Sequence, residues 1–357
     1  MGLCPMSPQA LKGLMCNLVV MTLILGLEGT AWNLSAALVS EAKTICEAES
    51  TYKPLHGGIH PREAAQHHAS ELKNVVSRVF RCAETGEEGF SLDSIDAIAF
   101  SQGPGMGPCL RTVATAARVL AISLKIPLVG VNHCIAHIEI GRWRCGTKDP
   151  VVLYVSGANS QVLAYRAGRY RILGETLDIG IGNALDKFAR YLGLSHPGGP
   201  KIEELASKGT EYVYMPYVIK GMDLSFSGLT TAAKDAIKVH RHKTEDVCYS
   251  FQETAFAMLT EVTERAMAHL GKDEMLLAGG VGANRRLKQM LQTMCHDRAA
   301  KFYVPENKYL KDNGTMIAYL GLLHYKTGNT TPIDKSAVKP NYRPDEVEVT
   351  WREQKQN

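Results

Sequence analysis

The chain has 357 residues, 45% hydrophobic and 21% charged, which is ordinary for a globular protein but too long for one typical core, so two domains or lobes are expected. A formal net charge of +4 is too small for a stand-alone nucleic-acid binder; an RNA partner would be held with help from other subunits. Nine cysteines without a C-x-x-C pair argue against a thiolate zinc site and for reduced thiols in a cytosol rather than a disulfide framework. No run approaches the roughly 18 apolar residues of a membrane span, so the reading is a soluble, cytoplasmic protein with no membrane attachment.

Leu18 to Leu27 is apolar, but it runs into Gly26-Leu27-Glu28-Gly29-Thr30 without a small-residue cleavage site, so a buried strand explains it better than a signal peptide. Residues 1–20 are read as an N-terminal extension of no assigned function. The turn Glu28-Gly29-Thr30-Ala31 suits a phosphate-facing hairpin, or a plain hairpin turn. A helix is predicted over Arg62–Arg81, with His67 and His68 as surface or packing residues. The strand Ile95–Phe100 leads through a Gly/Pro-rich loop to a helix over Leu110–Leu124; the loop glycines match neither G-x-G-x-x-G nor the Walker pattern.

Next, the strand Ile126–Val131 precedes His133-Cys134-Ile135-Ala136-His137. If a helix starts there, both imidazoles lie on one face and can reach a common point. A metal held there would need a carboxylate or phenolate from elsewhere; the alternative is a pair of locally hydrogen-bonded histidines. The β-α-β-α succession argues for a sheet with helices on its faces.

A second series begins at the strand Val151–Val155, which ends in Ser156-Gly157-Ala158-Asn159-Ser160 and returns through Val162–Tyr165 and Tyr170–Leu173. This echo of the first strand-turn-strand unit suggests two lobes gripping phosphates across a cleft. A helix over Ala184–Arg190 and the loop His196-Pro197-Gly198-Gly199-Pro200 follow, then a helix containing Glu203. Tyr249–Leu270 reads as an amphipathic core helix. The strand Met275–Ala278 runs into Gly279-Gly280, where an open α/β sheet places a ligand, with Asn284 available to a base, or where a tight turn is all that is needed. Asp312, ahead of the helix Thr315–Tyr325, is an N-cap candidate and also the free carboxylate that the histidine pair lacks.

Taken together, Leu25–Ala31, Gly103–Arg111, Val131–Glu139, Tyr154–Gly157, His196–Pro200, Ser225–Gly228, Gly279–Val281 and Asp312–Gly314 resemble the universal tRNA threonylcarbamoyladenosine synthase family, the catalytic subunit of the KEOPS complex, from about Leu23 to about Trp351. The resemblance implies the two-lobed α/β fold of actin, hexokinase and heat-shock-70 ATPases, with the active site between the lobes. It implies lobe I over 21–133, lobe II over 134–314, and a C-terminal helix and tail, 315–357, returning to lobe I. The implied reaction moves threonylcarbamoyl from threonylcarbamoyl-AMP to N6 of the adenosine beside the anticodon in tRNAs reading ANN codons. The implied ligands of one Fe(II) or Zn(II) are His133, His137, Tyr154 and Asp312, and the implied nucleotide contacts are Tyr154, Ser156, Gly157, Ala158, Asp186, Gly199, Glu203 and Asn284. ATP or AMP analogues are expected to share that site. Glu28 is a candidate base or positioning group.

Where the family pattern has a second glycine, this chain has Ala158, and strain is expected if the loop needs a left-handed residue there. No kinase sequence follows Trp351, so a separate small kinase/ATPase, a dimerising subunit and a tRNA-binding subunit are the expected partners beside tRNA. Arg142, Arg144, Arg285 and Arg286 are tRNA-phosphate candidates or scattered surface charges. The rival readings are a sugar-kinase or chaperone-like ATPase of the same fold and a metallopeptidase, the latter weakened by Cys134 in place of the glutamate of H-E-x-x-H.

Overall fold

The computed structural model describes residues 21–54, 57–86 and 89–352; the extension assigned to 1–20 lies outside them. The first half starts with the meander β1 (Ile24–Glu28), β2 (Asn33–Val39) and β3 (Thr44–Thr51), then α1 (Pro61–Thr85), β4 (Ala97–Gly103), α2 (Gly107–Leu124) and β5 (Leu128–Asn132). Helix α3 (His133–Cys145) leads into a second meander, β6 (Val151–Val155), β7 (Ser160–Arg166) and β8 (Arg169–Glu175). Helices α4 (Ile181–Tyr191) and α5 (Gly199–Ala206), the short pair β9 (Ile219–Lys220) and β10 (Asp223–Leu224), and helices α6 (Ser227–Lys238) and α7 (Thr244–Leu270) follow. The chain closes with β11 (Glu274–Ala278), α8 (Arg285–Asp297), β12 (Lys301–Tyr303), α9 (Asn307–Leu310) and α10 (Gly314–Lys326).

The echo between the halves is a topological repeat. One five-stranded sheet has the order β3-β2-β1-β4-β5 and the other β8-β7-β6-β11-β12. In each, the meander is antiparallel, its first strand pairs in parallel with one later strand (β4 or β11), and that strand pairs in parallel with the other (β5 or β12).

Strand alternation distributes the side chains into layers. Leu25 and Leu27 pack outward against Val75 and Val79 of α1 and Val113 of α2. Ile24 faces the opposite way, into a layer holding α3 and α10 between the sheets. In β6, Val151, Leu153 and Val155 face the helices on the far side, whereas Val152 and Tyr154 face the central layer. Burying each such side chain contributes roughly 1.5–3 kcal/mol. Glycine permits the tightest contact: a Cβ at Gly26 would lie 2.3 Å from the Ala318 amide nitrogen of α10. Helix α10 therefore lies directly on β1, and its N-terminus is brought beside α3.

Two expectations change. Cys46 and Cys82 form a disulfide between β3 and α1, so the thiols are not uniformly reduced; residues 36 apart pair because the helix folds back on the strand, with Cα atoms 6.1 Å apart. Helix α10 is capped by Asn313, which accepts from the Met316 amide at 2.8 Å, and not by Asp312. Of the two readings given for His68, surface or packing, the structure selects packing: it is fully buried, its Nε2 3.1 Å from the Ala31 carbonyl.

Candidate metal centre and nucleotide cleft

Helix α3 starts where it does because Asn132 caps it, accepting from the amides of Cys134 at 2.9 Å and Ile135 at 3.1 Å. Its first nine residues, His133 to Gly141, are all buried, so the i, i+4 histidines project within the central layer. Their ring centroids are 4.8 Å apart. Asp312, from the loop between α9 and α10, places Oδ1 3.2 Å from Nε2 of His137 and 3.5 Å from Nε2 of His133. One donor atom from each of the three lies within 4.8 Å of the others.

The Tyr154 ring lies 5.5 Å from that of His137. Its hydroxyl is buried without a hydrogen-bond partner among the described residues. The Cys134 thiol and Ser156 hydroxyl stand near it without hydrogen-bond geometry, so the hydroxyl beside three convergent donors is available to an occupant. Two imidazoles, a carboxylate and a phenol are a donor set that suits zinc or ferrous iron. These residues therefore fit a metal of the kind that the family resemblance implies.

Glu28 stands behind the histidines. It is fully buried, its Oε1 accepts from the amide and hydroxyl of Thr30, each at 2.7 Å, and its Oε2 lies 3.1 Å from Nδ1 of His133. That contact fixes the ring so that Nε2 faces Asp312, the arrangement by which outer carboxylates orient metal-binding histidines. Burial opposes charge on His133, but the carboxylates of Glu28 and Asp312 override it and raise its pKa well above the usual value. For Asp312, burial works against ionisation and the neighbouring His133 prevails, holding the carboxyl well below the usual range. Burial lowers His137 and pushes the Tyr154 phenol upward. Burial also pushes the Cys134 thiol up to about 11, so it supplies no base in place of a peptidase glutamate.

The turn Ser156–Asn159 is tied to the start of α4, with the Asn183 amide donating to the Gly157 carbonyl at 2.8 Å and the Gly182 amide to that of Ser156 at 3.2 Å. Asn159 Nδ2 approaches Cys134 Sγ at 3.8 Å, joining this turn to α3. Ala158 has no positive φ, so the strain expected there does not arise, and Gly157 and Ala158 are exposed. Asp186 accepts from the Gly198 amide at 2.7 Å and lies 3.2 Å from Nδ1 of His196, so it shapes the loop leading to Gly199 at the start of α5. The His196 ring meets Trp32 of the first half edge-on at 5.2 Å, a contact bridging the halves.

Glu203 accepts from the backbone amide and Nε of Arg285 at 3.0 and 3.2 Å. Asn284 is the N-cap of α8, accepting from Arg286 and Leu287, and donates to Gln252 at 3.0 Å. Glu203 and Asn284 are thus neighbours through Arg285, but among the described residues no hydrogen bond links them to the histidines. The four arginines noted in the sequence are each paired with a carboxylate: Glu139, Glu306, Glu203 and Glu253.

Two sheets of repeated topology around a buried inter-sheet site define a two-lobed fold of the actin, hexokinase and heat-shock-70 class. Its likeness to HypF of T. kodakarensis has a TM-score of 0.60 at 16% identity, covering 88% of this chain and 49% of that one. Component A of the Acidaminococcus fermentans (R)-2-hydroxyglutaryl-CoA dehydratase gives 0.52 at 12% identity, covering 86% and 98%. These likenesses concern the fold alone.

Sequence relatives carry the family. The profile TsaD, tRNA N6-adenosine threonylcarbamoyltransferase, matches residues 43–319. A protein of that name from Methanococcoides burtonii is 68% identical over 93% of this chain and 98% of its own length. One from Archaeoglobus fulgidus is 62% identical over 92% and 99%. A probable bifunctional tRNA threonylcarbamoyladenosine biosynthesis protein of Methanosarcina barkeri is 67% identical over 92% of this chain and 60% of its own length. The chain belongs to the tRNA N6-adenosine threonylcarbamoyltransferase family.

Proposed function

We propose that the chain transfers threonylcarbamoyl from threonylcarbamoyl-AMP to N6 of the adenosine adjacent to the anticodon in tRNAs reading ANN codons. The observation that carries this reading, beside the family, is the convergence of His133, His137 and Asp312 on one point next to the unpaired Tyr154 hydroxyl. One Fe(II) or Zn(II) per subunit would be held by these four residues. When bound, such a cation supplies a Lewis acid for a carbonyl or phosphoryl oxygen.

The protein's own contribution is orientation, because an adenine amine is a weak nucleophile and gains most from alignment. N6 forms the new C–N bond to the carbamoyl carbon and loses a proton, and AMP leaves with the electron pair of the broken C–O bond. The Ser156-Gly157-Ala158 turn would hold the phosphate, whereas Asp186, Gly199, Glu203 and Asn284 would line the nucleoside end, and Tyr154 would serve both as a metal ligand and as a nucleotide contact. Glu28, which braces His133, acts as a positioning group in this scheme.

Lobe I is taken as 21–133, lobe II as 134–314, and 315–357 as the segment returning to lobe I; the packing of α10 on β1, β2 and β4 supports that division. The partners are tRNA and separate KEOPS-type subunits: a small kinase/ATPase, a dimerising subunit and a tRNA-binding subunit. Pairing of all four candidate arginines with carboxylates supports weak tRNA binding by the isolated chain. Among the described residues no helix is long and apolar enough to cross a membrane, and a tRNA substrate supports the reading of a cytoplasmic protein.

The test is metal analysis of the purified protein, then transfer assays with tRNA, threonylcarbamoyl-AMP and the partner subunits. His133→Ala and Asp312→Ala should each lose bound metal and transfer. Full transfer by both would end this reading.

A further inference from the structure

Strand β2 carries two polar side chains, Asn33 and Ser35, that the function described so far does not use, although both are buried, at 5% and 0% exposure. Spaced i, i+2, they lie on one face of the strand. Both point at the turn that presents Asp312. Asn33 Nδ2 donates to the Asp312 carbonyl at 2.8 Å and to Glu49 Oε2 at 3.1 Å, while its Oδ1 accepts from the Thr51 hydroxyl at 2.8 Å. Ser35 Oγ accepts from the Gly314 amide at 2.9 Å and donates to the Ala48 carbonyl at 3.1 Å.

The backbone is thus gripped on both sides of Asn313, which caps α10 at the same turn. The approach is close enough that a Cβ on Gly314 would lie 2.5 Å from the Ala36 carbonyl carbon of β2. Because the clasp engages backbone groups only, the Asp312 carboxylate remains free for His133 and His137.

We infer that Asn33 and Ser35 are positioning residues: they set the place of Asp312 relative to the histidines, so β2 governs the metal centre without touching it. Such outer contacts are commonly worth 10- to 100-fold in metal affinity. This inference rests on the metal-site reading above.

The test uses the full chain stripped of metal and titrated with Zn(II), together with amide hydrogen exchange of residues 312–316 in the metal-free state. The informative variant is Asn33→Asp combined with Glu49→Gln. It keeps an acceptor for Thr51 and a donor–acceptor pair to residue 49, and replaces the donor to the Asp312 carbonyl by a carboxylate oxygen that repels it. Leu34→Ala, on the opposite face of the strand among apolar neighbours, is the control for general destabilisation.

The double variant should bind Zn(II) at least about 10-fold more weakly and exchange the amides of 312–316 faster, both beyond what Leu34→Ala shows at a comparable loss of melting temperature. Leu34→Ala should lower the melting temperature but leave Zn(II) affinity within about twofold and exchange at 312–316 near wild type, as expected for a site whose ligands are undisturbed. Wild-type affinity and wild-type exchange in the double variant would overturn the inference. Absence of Zn(II) binding by the wild type would instead overturn the metal reading, and the exchange measurement would still decide whether Asn33 holds the turn.

Discussion

Tyr154→Phe should change stability in opposite directions with and without metal. The substitution removes one oxygen from a fully buried ring and leaves the rest of its packing in place. In the metal-free protein that oxygen has no partner among the described residues. A buried, unsatisfied polar group costs about 1–3 kcal/mol, so the metal-free variant should be more stable by about 1 kcal/mol, or a rise of about 2–4 °C in a lobe-sized unit. On the proposed reading, the same oxygen becomes a ligand when metal binds. Its loss should weaken binding at least about 10-fold, and the stabilisation that metal confers at saturating concentration should fall by about 1.4 kcal/mol or more. The assay is thermal melting of chelator-treated and metal-reloaded protein, wild type beside variant. Destabilisation of the metal-free variant by 1 kcal/mol or more, or an unchanged metal-dependent increment, would refute the reasoning (both thresholds being about the size of one hydrogen bond).

Burial, reinforced by neighbouring His67, pulls His68 down from 6.5 to about 4. As pH falls below 6.5 the unfolded chain takes up the proton first, so this contribution is complete above 6.5 and is lost toward 4, amounting to about 2 kcal/mol between pH 7.5 and 5. His68→Gln should flatten the pH dependence of the denaturation midpoint by that amount; an unchanged slope would contradict it. Reducing the Cys46–Cys82 bond, whose cysteines are 36 residues apart, should cost about 4 kcal/mol on the loop-entropy relation; equal melting of oxidised and reduced protein would show that it does not contribute. Because Ala158 has no left-handed backbone, Ala158→Gly should leave KM for the donor within about twofold. A tenfold rise, or about 1.4 kcal/mol, would show that the methyl group matters.

Local periodicity accounts for what could be read from the sequence. The His133–His137 pair was legible because helix geometry alone sets i and i+4 on one face, and the repeated strand-turn-strand units because a buried meander needs apolar runs broken by small residues. Family resemblance supplied Tyr154 and Asp312, which no spacing rule links to residues at 133 and 137. Only the tertiary structure decided how they are deployed. Asp312 and Asn313 are equally good caps in sequence, and the clasp by β2 leaves the cap to Asn313 and turns the free carboxylate toward His133 and His137. Asn33 and Ser35 alternate with Leu34 along β2, and because α10 covers their face both polar side chains become internal partners. Cys46 and Cys82 likewise pair only because α1 folds back over β3. The sequence by itself determined the elements and their periodic faces, since those depend on near neighbours. Which donors meet between the sheets was decided by packing, because a contact between residues such as Asn33 and Asp312 exists only once both sheets and α10 are in place.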